Sequence, residues 1–153
     1  MKKSKPEDRH QDYFEAILQL RDVSPEITNF AKEEILKSKV HLAKTMHEKN
    51  GLDFYLADNK FAKQLGQQLQ QRFGGIYNVS PSLFTRKDGR NIYRLTVLFR
   101  GMPYKKGDAV LFKGDRYIVQ RVGEVIVLGG QKKVQVKYKD LDYLKKAEVE
   151  ELG

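Results

Sequence analysis

No cysteine occurs in the chain. That one absence excludes a disulfide framework, a thiolate metal site and a cysteine nucleophile. No apolar run approaches the roughly 18 residues that a membrane-spanning helix needs. The segment from Met1 to Gln11 is too polar for a secretory signal. Residues 1–11 read as a disordered start, and the cytoplasm is the expected location. Glycine is present, but in neither of the patterns that cradle nucleotides. Gly74-Gly75 closes a helical pattern instead of opening one, and Gly129-Gly130 lies between strand patterns. Asp12 with Glu15, and Glu33 with Glu34, read as solvated charges rather than as a paired acid and base. Nothing calls for catalysis, and no cofactor is expected.

Positive charge is what the chain has in excess. The net charge is +9, and it is unevenly spread. Residues 86–146 carry 16 Lys and Arg against six Asp and Glu, whereas residues 1–85 carry 13 against 11. The field of the second half attracts polyanions, of which RNA is the usual one. With 153 residues and 40% apolar content, the chain can form one ordinary domain or two small ones.

The first half alternates strand and helix patterns. Phe14, Ala16, Leu18 and Leu20 alternate onto one face of a strand over 13–21. Ser24-Pro25-Glu26 opens a helix: Ser24 caps, Pro25 has the φ of a first turn, and Glu26 meets the positive end of the dipole. That helix fades near Lys37-Ser38-Lys39. Residues 42–48 and 52–56 form a hairpin about Asn50-Gly51, a type I′ signal that predicts positive φ at both residues. Asp58 caps a second helix, which Gly74 stops. Gly66 interrupts its apolar stripe, which points to a close approach to the sheet. A long hairpin follows, with arms 76–85 and 91–100 joined by Arg86-Lys87-Asp88-Gly89-Arg90. In its second arm Tyr93, Leu95, Val97 and Phe99 face inward, while Arg94, Thr96 and Arg100 face outward. Pro81 makes the first arm an edge strand or gives it a bulge.

The expected class is therefore α+β. The order β-α-β-β-α-β-β matches a ferredoxin-like unit over 12–101, which leaves one face of its sheet open. RNA-recognition motifs use such a face, with aromatics on the central strands. Phe54 and Tyr55 point to opposite faces, so one belongs to the core. From Gly101 the grammar changes to short β-rich runs between Gly107-Asp108, Lys113-Gly114-Asp115, Gly123 and Gly129-Gly130. Met102-Pro103 is the natural hinge. Residues 102–145 fit an SH3-like barrel, with a tail at 146–153.

His41 and His47 are the only paired histidines, and a metal would need Asp53 as a third ligand; no metal site is expected. The basic clusters are the candidate binding residues. They are Arg86, Lys87 and Arg90 at the hairpin tip, Arg94 and Arg100 on its second arm, and Lys105 and Lys106 at the junction. Lys113 and Arg116 flank one barrel turn, and Lys132 and Lys133 follow another. Turns let long cations reach phosphates without disturbing a core. Taken alone, these clusters also suit a general RNA-binding accessory factor of transcription or translation that uses the barrel.

Several runs narrow the reading. Residues 13–21 (Tyr-Phe-Glu-Ala-Ile-Leu-Gln-Leu-Arg), 49–55 (Lys-Asn-Gly-Leu-Asp-Phe-Tyr), Ala62-Lys63, Arg72-Phe73-Gly74-Gly75, Tyr93-Arg94-Leu95-Thr96 and Lys106-Gly107-Asp108 follow in order. In order and spacing they resemble the large-ribosomal-subunit export adaptor family, known historically as nonsense-mediated-decay protein three. The resemblance covers about 13–144. Its short form, with a Gly-Asp barrel straight after the α/β unit, is similar to archaeal members, where there is no nucleus and no export role is implied. What the resemblance does imply is binding to the large ribosomal subunit, through rRNA and ribosomal proteins, in maturation or quality control. The family begins with a zinc module built from Cys-x-x-Cys pairs, which this sequence lacks. The contact with the anti-association initiation factor, attributed to that module, is therefore not implied. The barrel is also similar to the first domain of the hypusine-bearing translation factor, without its lysine loop.

Overall fold

The computed structural model describes residues 11–147; within the long hairpin it describes the backbone but not the side chains of Leu83, Lys87, Arg90, Asn91 and Ile92. Residues 1–10 and 148–153, which hold most of the expected disordered start and tail, lie outside the described residues. The architecture is α+β, built on two five-stranded sheets.

Strand β1 (Ala16–Arg21) is followed by helix α1 (Pro25–Ser38), then β2 (Leu42–Glu48), β3 (Gly51–Leu56), helix α2 (Asn59–Phe73), β4 (Ile76–Lys87) and β5 (Arg90–Arg100). Local chemistry sets the helix ends. The Ser24 hydroxyl accepts from the Ile27 amide and Asp58 accepts from the Phe61 amide at 2.8 Å, so each cap satisfies an orphan donor. Lys39, at φ 62, turns the chain out of α1. Both helices cover one face of the first sheet. Its core joins Ala16, Leu18 and Leu20 of β1 to Phe54 and Leu56 of β3, Val97 and Phe99 of β5, and the helical residues Ala31, Ile35, Leu65 and Leu69. Gly66 does mark a close approach: a Cβ there would lie 2.6 Å from the Tyr77 ring and 2.7 Å from Val97.

Three expectations are corrected here. The hairpin between β2 and β3 closes on the pair Glu48↔Gly51, so its central residues are Lys49 and Asn50, and none of the three has positive φ. Gly51 is needed for a different reason, since a Cβ on it would lie 1.7 Å from the Leu20 carbonyl oxygen of the adjacent strand. The type I′ geometry occurs instead at Asp88-Gly89, with φ of 53° and 76°, inside the closing pair Lys87↔Arg90. Second, the sheet order is β2-β3-β1-β5-β4. A ferredoxin-like sheet places the strand after α2 beside β1; here the second hairpin arm, β5, takes that place in parallel and β4 goes to the edge. Pro81 sits on that edge strand, and a register shift follows it between Leu83 and Thr85. Third, β1 starts only at Ala16, and Phe14 turns to the face away from the helices, where its ring meets Tyr55 edge-on at 4.8 Å.

The second sheet comprises β6 (Ala109–Phe112), β7 (Asp115–Arg121), β8 (Ile126–Gly129), β9 (Lys133–Val136) and, after a 3₁₀ turn at Tyr138–Tyr143, β10 (Leu144–Lys146). Its order is β10-β6-β7-β8-β9. Among the described residues no pairing joins β9 to β10, so the expected barrel does not close. These end strands are only four and three residues long, and the 3₁₀ turn separates them. A separate core of Tyr104, Val110, Tyr117, Val119, Ile126, Leu128, Val136 and Leu144 fills this sheet.

The sheets meet at the end of α2. The Gly75 amide donates to the Tyr138 hydroxyl at 2.9 Å, and that hydroxyl donates to the Gly123 carbonyl at 2.5 Å. Burial raises the Tyr138 phenol above its ordinary range, and the two backbone bonds only partly offset this. Tyr138→Phe leaves both backbone groups without their partner, and stability is expected to fall by about 1–3 kcal/mol. Urea unfolding measures it; an unchanged midpoint would mean that solvent takes the hydroxyl's place.

Candidate nucleic-acid interface

The hairpin of β4 and β5 outruns the sheet. β1 pairs with β5 only over Leu95–Arg100, so the pairs from Ser82↔Arg94 to Lys87↔Arg90 form a two-stranded ribbon. Six residues on its first arm give it a reach of about 20 Å. Arg86 is exposed near its end. Lys87 and Arg90 form the closing pair, but their side chains lie outside the described ones. Tyr93, expected to face inward, is 49% exposed, because it lies past the end of the pairing with β1.

Arg94 is not a free surface cation. Its guanidinium carbon lies 3.7 Å from the ring centroid of Phe14 and 3.4 Å from that of Phe84, and its Nε donates to the Phe14 carbonyl at 3.2 Å. Desolvation in this stack lowers its pKa, while the nearby Tyr13 acts in the opposite direction. The stack continues across the open face of the sheet, since Phe14 meets Tyr55 and the Lys44 ammonium lies 4.6 Å over the Tyr55 ring. Phe54, the neighbour of Tyr55, is buried among the helices. Lys44, Tyr55, Phe14, Arg94 and Phe84 thus form one ladder of cations and rings. The alternation of β3 anticipates Tyr55; Phe14 and Phe84 carry no local signal.

Arg100 is also committed, to an ion pair of 2.6 Å with Asp22. Asp53 pairs with Arg21 at 2.7 Å on the open face. It faces away from His47, which pairs with the core residue Leu52. A His41 ring nitrogen lies 2.7 Å from the Gln11 carbonyl oxygen. Among the described residues no three His, Cys, Asp or Glu side chains gather as a metal site would require.

The remaining cations belong to the second sheet. Lys105 and Lys106 are exposed ahead of β6. Lys113 forms the β6–β7 turn with Gly114, at φ of 52° and 88°, and its ammonium lies over the Phe112 and Tyr143 rings at 5.3 and 5.4 Å. Arg116 pairs with Leu111, which pairs with Lys145. Ile118 pairs with Gly129, which pairs with Lys133. Paired residues share a face, so the structure brings Arg116, Lys133 and Lys145 onto one face around Ile118, which is 48% exposed. Lys132 is exposed just ahead of β9. Sequence reasoning missed Lys145, because only register reveals its row. Among the described residues, Arg86, Lys105, Lys106, Arg116, Lys132 and Lys133 make no ion pair.

No helix among the described residues is long and apolar enough to cross a membrane. No curated protein matches the chain. A family model described as NMD3, second domain, matches residues 13–100, which take in the whole first sheet, its helices and the ribbon. That is more than half of the 153 residues, and it includes the Gly-Leu-Asp-Phe-Tyr run, the capped α2 and the Tyr93-Arg94-Leu95-Thr96 arm. The chain belongs to the NMD3 family.

Proposed function

We propose that this chain is a non-enzymatic factor that binds rRNA on the large ribosomal subunit and acts in the cytoplasm in subunit maturation or quality control, with neighbouring ribosomal proteins as further partners. Family membership carries the reading. The charge supports it: the excess of cations over 86–146 is borne on a projecting ribbon and on exposed turns, where phosphates are reached without disturbing a core. We read the first sheet, residues 12–101, as a ferredoxin-like unit with an altered last hairpin, since order β2-β3-β1 keeps its split β-α-β core. Residues 102–145 are read as an SH3-like barrel left open between β9 and β10. The 3₁₀ turn before the last strand supports this.

Sedimentation of the tagged protein with cell extract through a sucrose gradient tests the proposal. Co-migration with free large subunits is the expected result. Binding to RNA of any source, without preference for the subunit, would favour the second reading, a general RNA-binding accessory factor. That reading draws on the second sheet, which lies outside residues 13–100 and presents its own basic face.

Salt dependence tests the ribbon. Phosphate neutralisation releases counterions, so affinity for rRNA falls with salt at a slope of about −0.7 per contact on single strands. Replacing Arg86, Lys87 and Arg90 together by Ala is expected to flatten that slope by about two if all three touch phosphate. Natural affinity and slope in the triple variant would make the tip a solubilising surface only.

A further inference from the structure

The cation–ring ladder on the open face ends in a ring with work left to do. Phe84 has Arg94 against one side of its ring, yet its side chain remains 51% exposed. It stands where a two-stranded ribbon leaves the sheet, so it adds nothing to either core. Beside it lies a cleft of about 290 Å³ whose walls include Phe14, Glu15, Phe84, Tyr93 and Arg94. Tyr93 is itself half exposed.

We infer that this cleft seats one unpaired nucleobase, stacked on Phe84, when the ribbon meets single-stranded RNA. The inference rests on the RNA-binding reading above and names the part of the RNA that this site takes. Three observations select a base over the backbone. Aromatic rings are stacking platforms for any base. Glu15 puts a carboxylate in the wall, held there by the Tyr13 hydroxyl at 2.5 Å and the Asn59 amide at 3.3 Å, and it opposes entry of a phosphate. Arg94 is fixed in plane by two rings and by its Nε bond to Phe14, which leaves its terminal N–H groups at the edge of the stack, where a base edge presents acceptors. The phosphates fall instead to the ribbon beyond, where Arg86 is exposed. The cleft is at the small end of ligand sites, about 300–1,000 Å³, which suits a single ring system.

The chain has no tryptophan, so Phe84→Trp makes a lone reporter. Its emission is read while a 12-nucleotide single-stranded RNA, an RNA duplex of the same length, or sodium polyphosphate is added. The expected result is saturable quenching by the single strand, little by the duplex and none by polyphosphate at equal phosphate. In the otherwise natural chain, Phe84→Leu is expected to weaken single-strand binding about tenfold with an unchanged salt slope, because a stacking contact and no phosphate contact is lost. Circular dichroism checks that both variants fold, as an exposed site predicts. Single-strand binding without quenching, together with natural affinity of Phe84→Leu, would overturn the base seat and leave the RNA reading standing. Failure of the natural chain to bind any RNA would remove both. Quenching by a blocked aromatic dipeptide but not by RNA would assign the cleft to a protein partner and overturn it.

Discussion

Phe54→Ala is expected to lower the stability of the chain by about 3–5 kcal/mol, the largest effect of any single change considered. Phe54 is 1% exposed and lies on β3, between β2 and β1, facing both helices. Truncation removes the transfer free energy of the ring and leaves a cavity walled by packed strands and helices that cannot collapse into it. A loss of that size takes a large part of the roughly 5–15 kcal/mol that holds a small protein folded. Tyr55→Ala is the contrasting measurement. Its side chain points to the opposite face, half-buried against Phe14 and Lys44, and about 1 kcal/mol is expected there. Urea unfolding of the two variants measures the difference. If Tyr55→Ala proved the more damaging, the register of β3 would be off by one residue and every face assignment in the first sheet would be reversed.

Gly51→Val follows, with an expected loss of about 3 kcal/mol. The cause is contact, not dihedral preference: the Cβ alone would sit 1.7 Å from the Leu20 carbonyl oxygen. Relief requires β3 to move away from β1, which breaks the pair Arg21↔Gly51 and the bond from the Asp22 amide to the Asn50 carbonyl, 3.0 Å long. Gly51→Ala is therefore expected to show most of the loss. Asn50→Ala is expected to cost under about 0.5 kcal/mol, since Asn50 is exposed and needs no positive φ. Thermal or urea midpoints of the three variants decide the matter. A large loss in Asn50→Ala beside a small one in Gly51→Ala would restore the turn at Asn50-Gly51.

These two sites show what the sequence discloses and what it withholds. Ser24 and Asp58 were legible as caps, because a cap acts on amides within three residues of itself. Gly66 was legible because it interrupts an apolar stripe. Asn50-Gly51 misled because a turn's position is set by strand register, and register is set by which residues must enter the core: with Leu52, Phe54 and Leu56 committed inward, Glu48 pairs with Gly51. The neighbour that forbids a side chain at Gly51 is a carbonyl of Leu20, remote in sequence, and no local rule finds it. The place of β5 beside β1 is of the same kind. Among the candidate site residues, the turn cations were legible from composition. That Arg94 is clamped by two rings and Arg100 held by Asp22 was not, because those partners come from other parts of the chain. Lys145 joined the basic face only through the pairing of β10 with β6.

The clamp on Arg94 bears on how an arm meets its partner. Two strands alone are marginal in water, and past Leu95 no third strand among the described residues pairs with the ribbon. What stiffens its root is one guanidinium between Phe14 and Phe84. An arm ordered beforehand loses less conformational freedom on docking than one that must order as it docks. Phe14 therefore tunes the entropy of an encounter made some 20 Å away at the tip, and it does so without meeting the partner there.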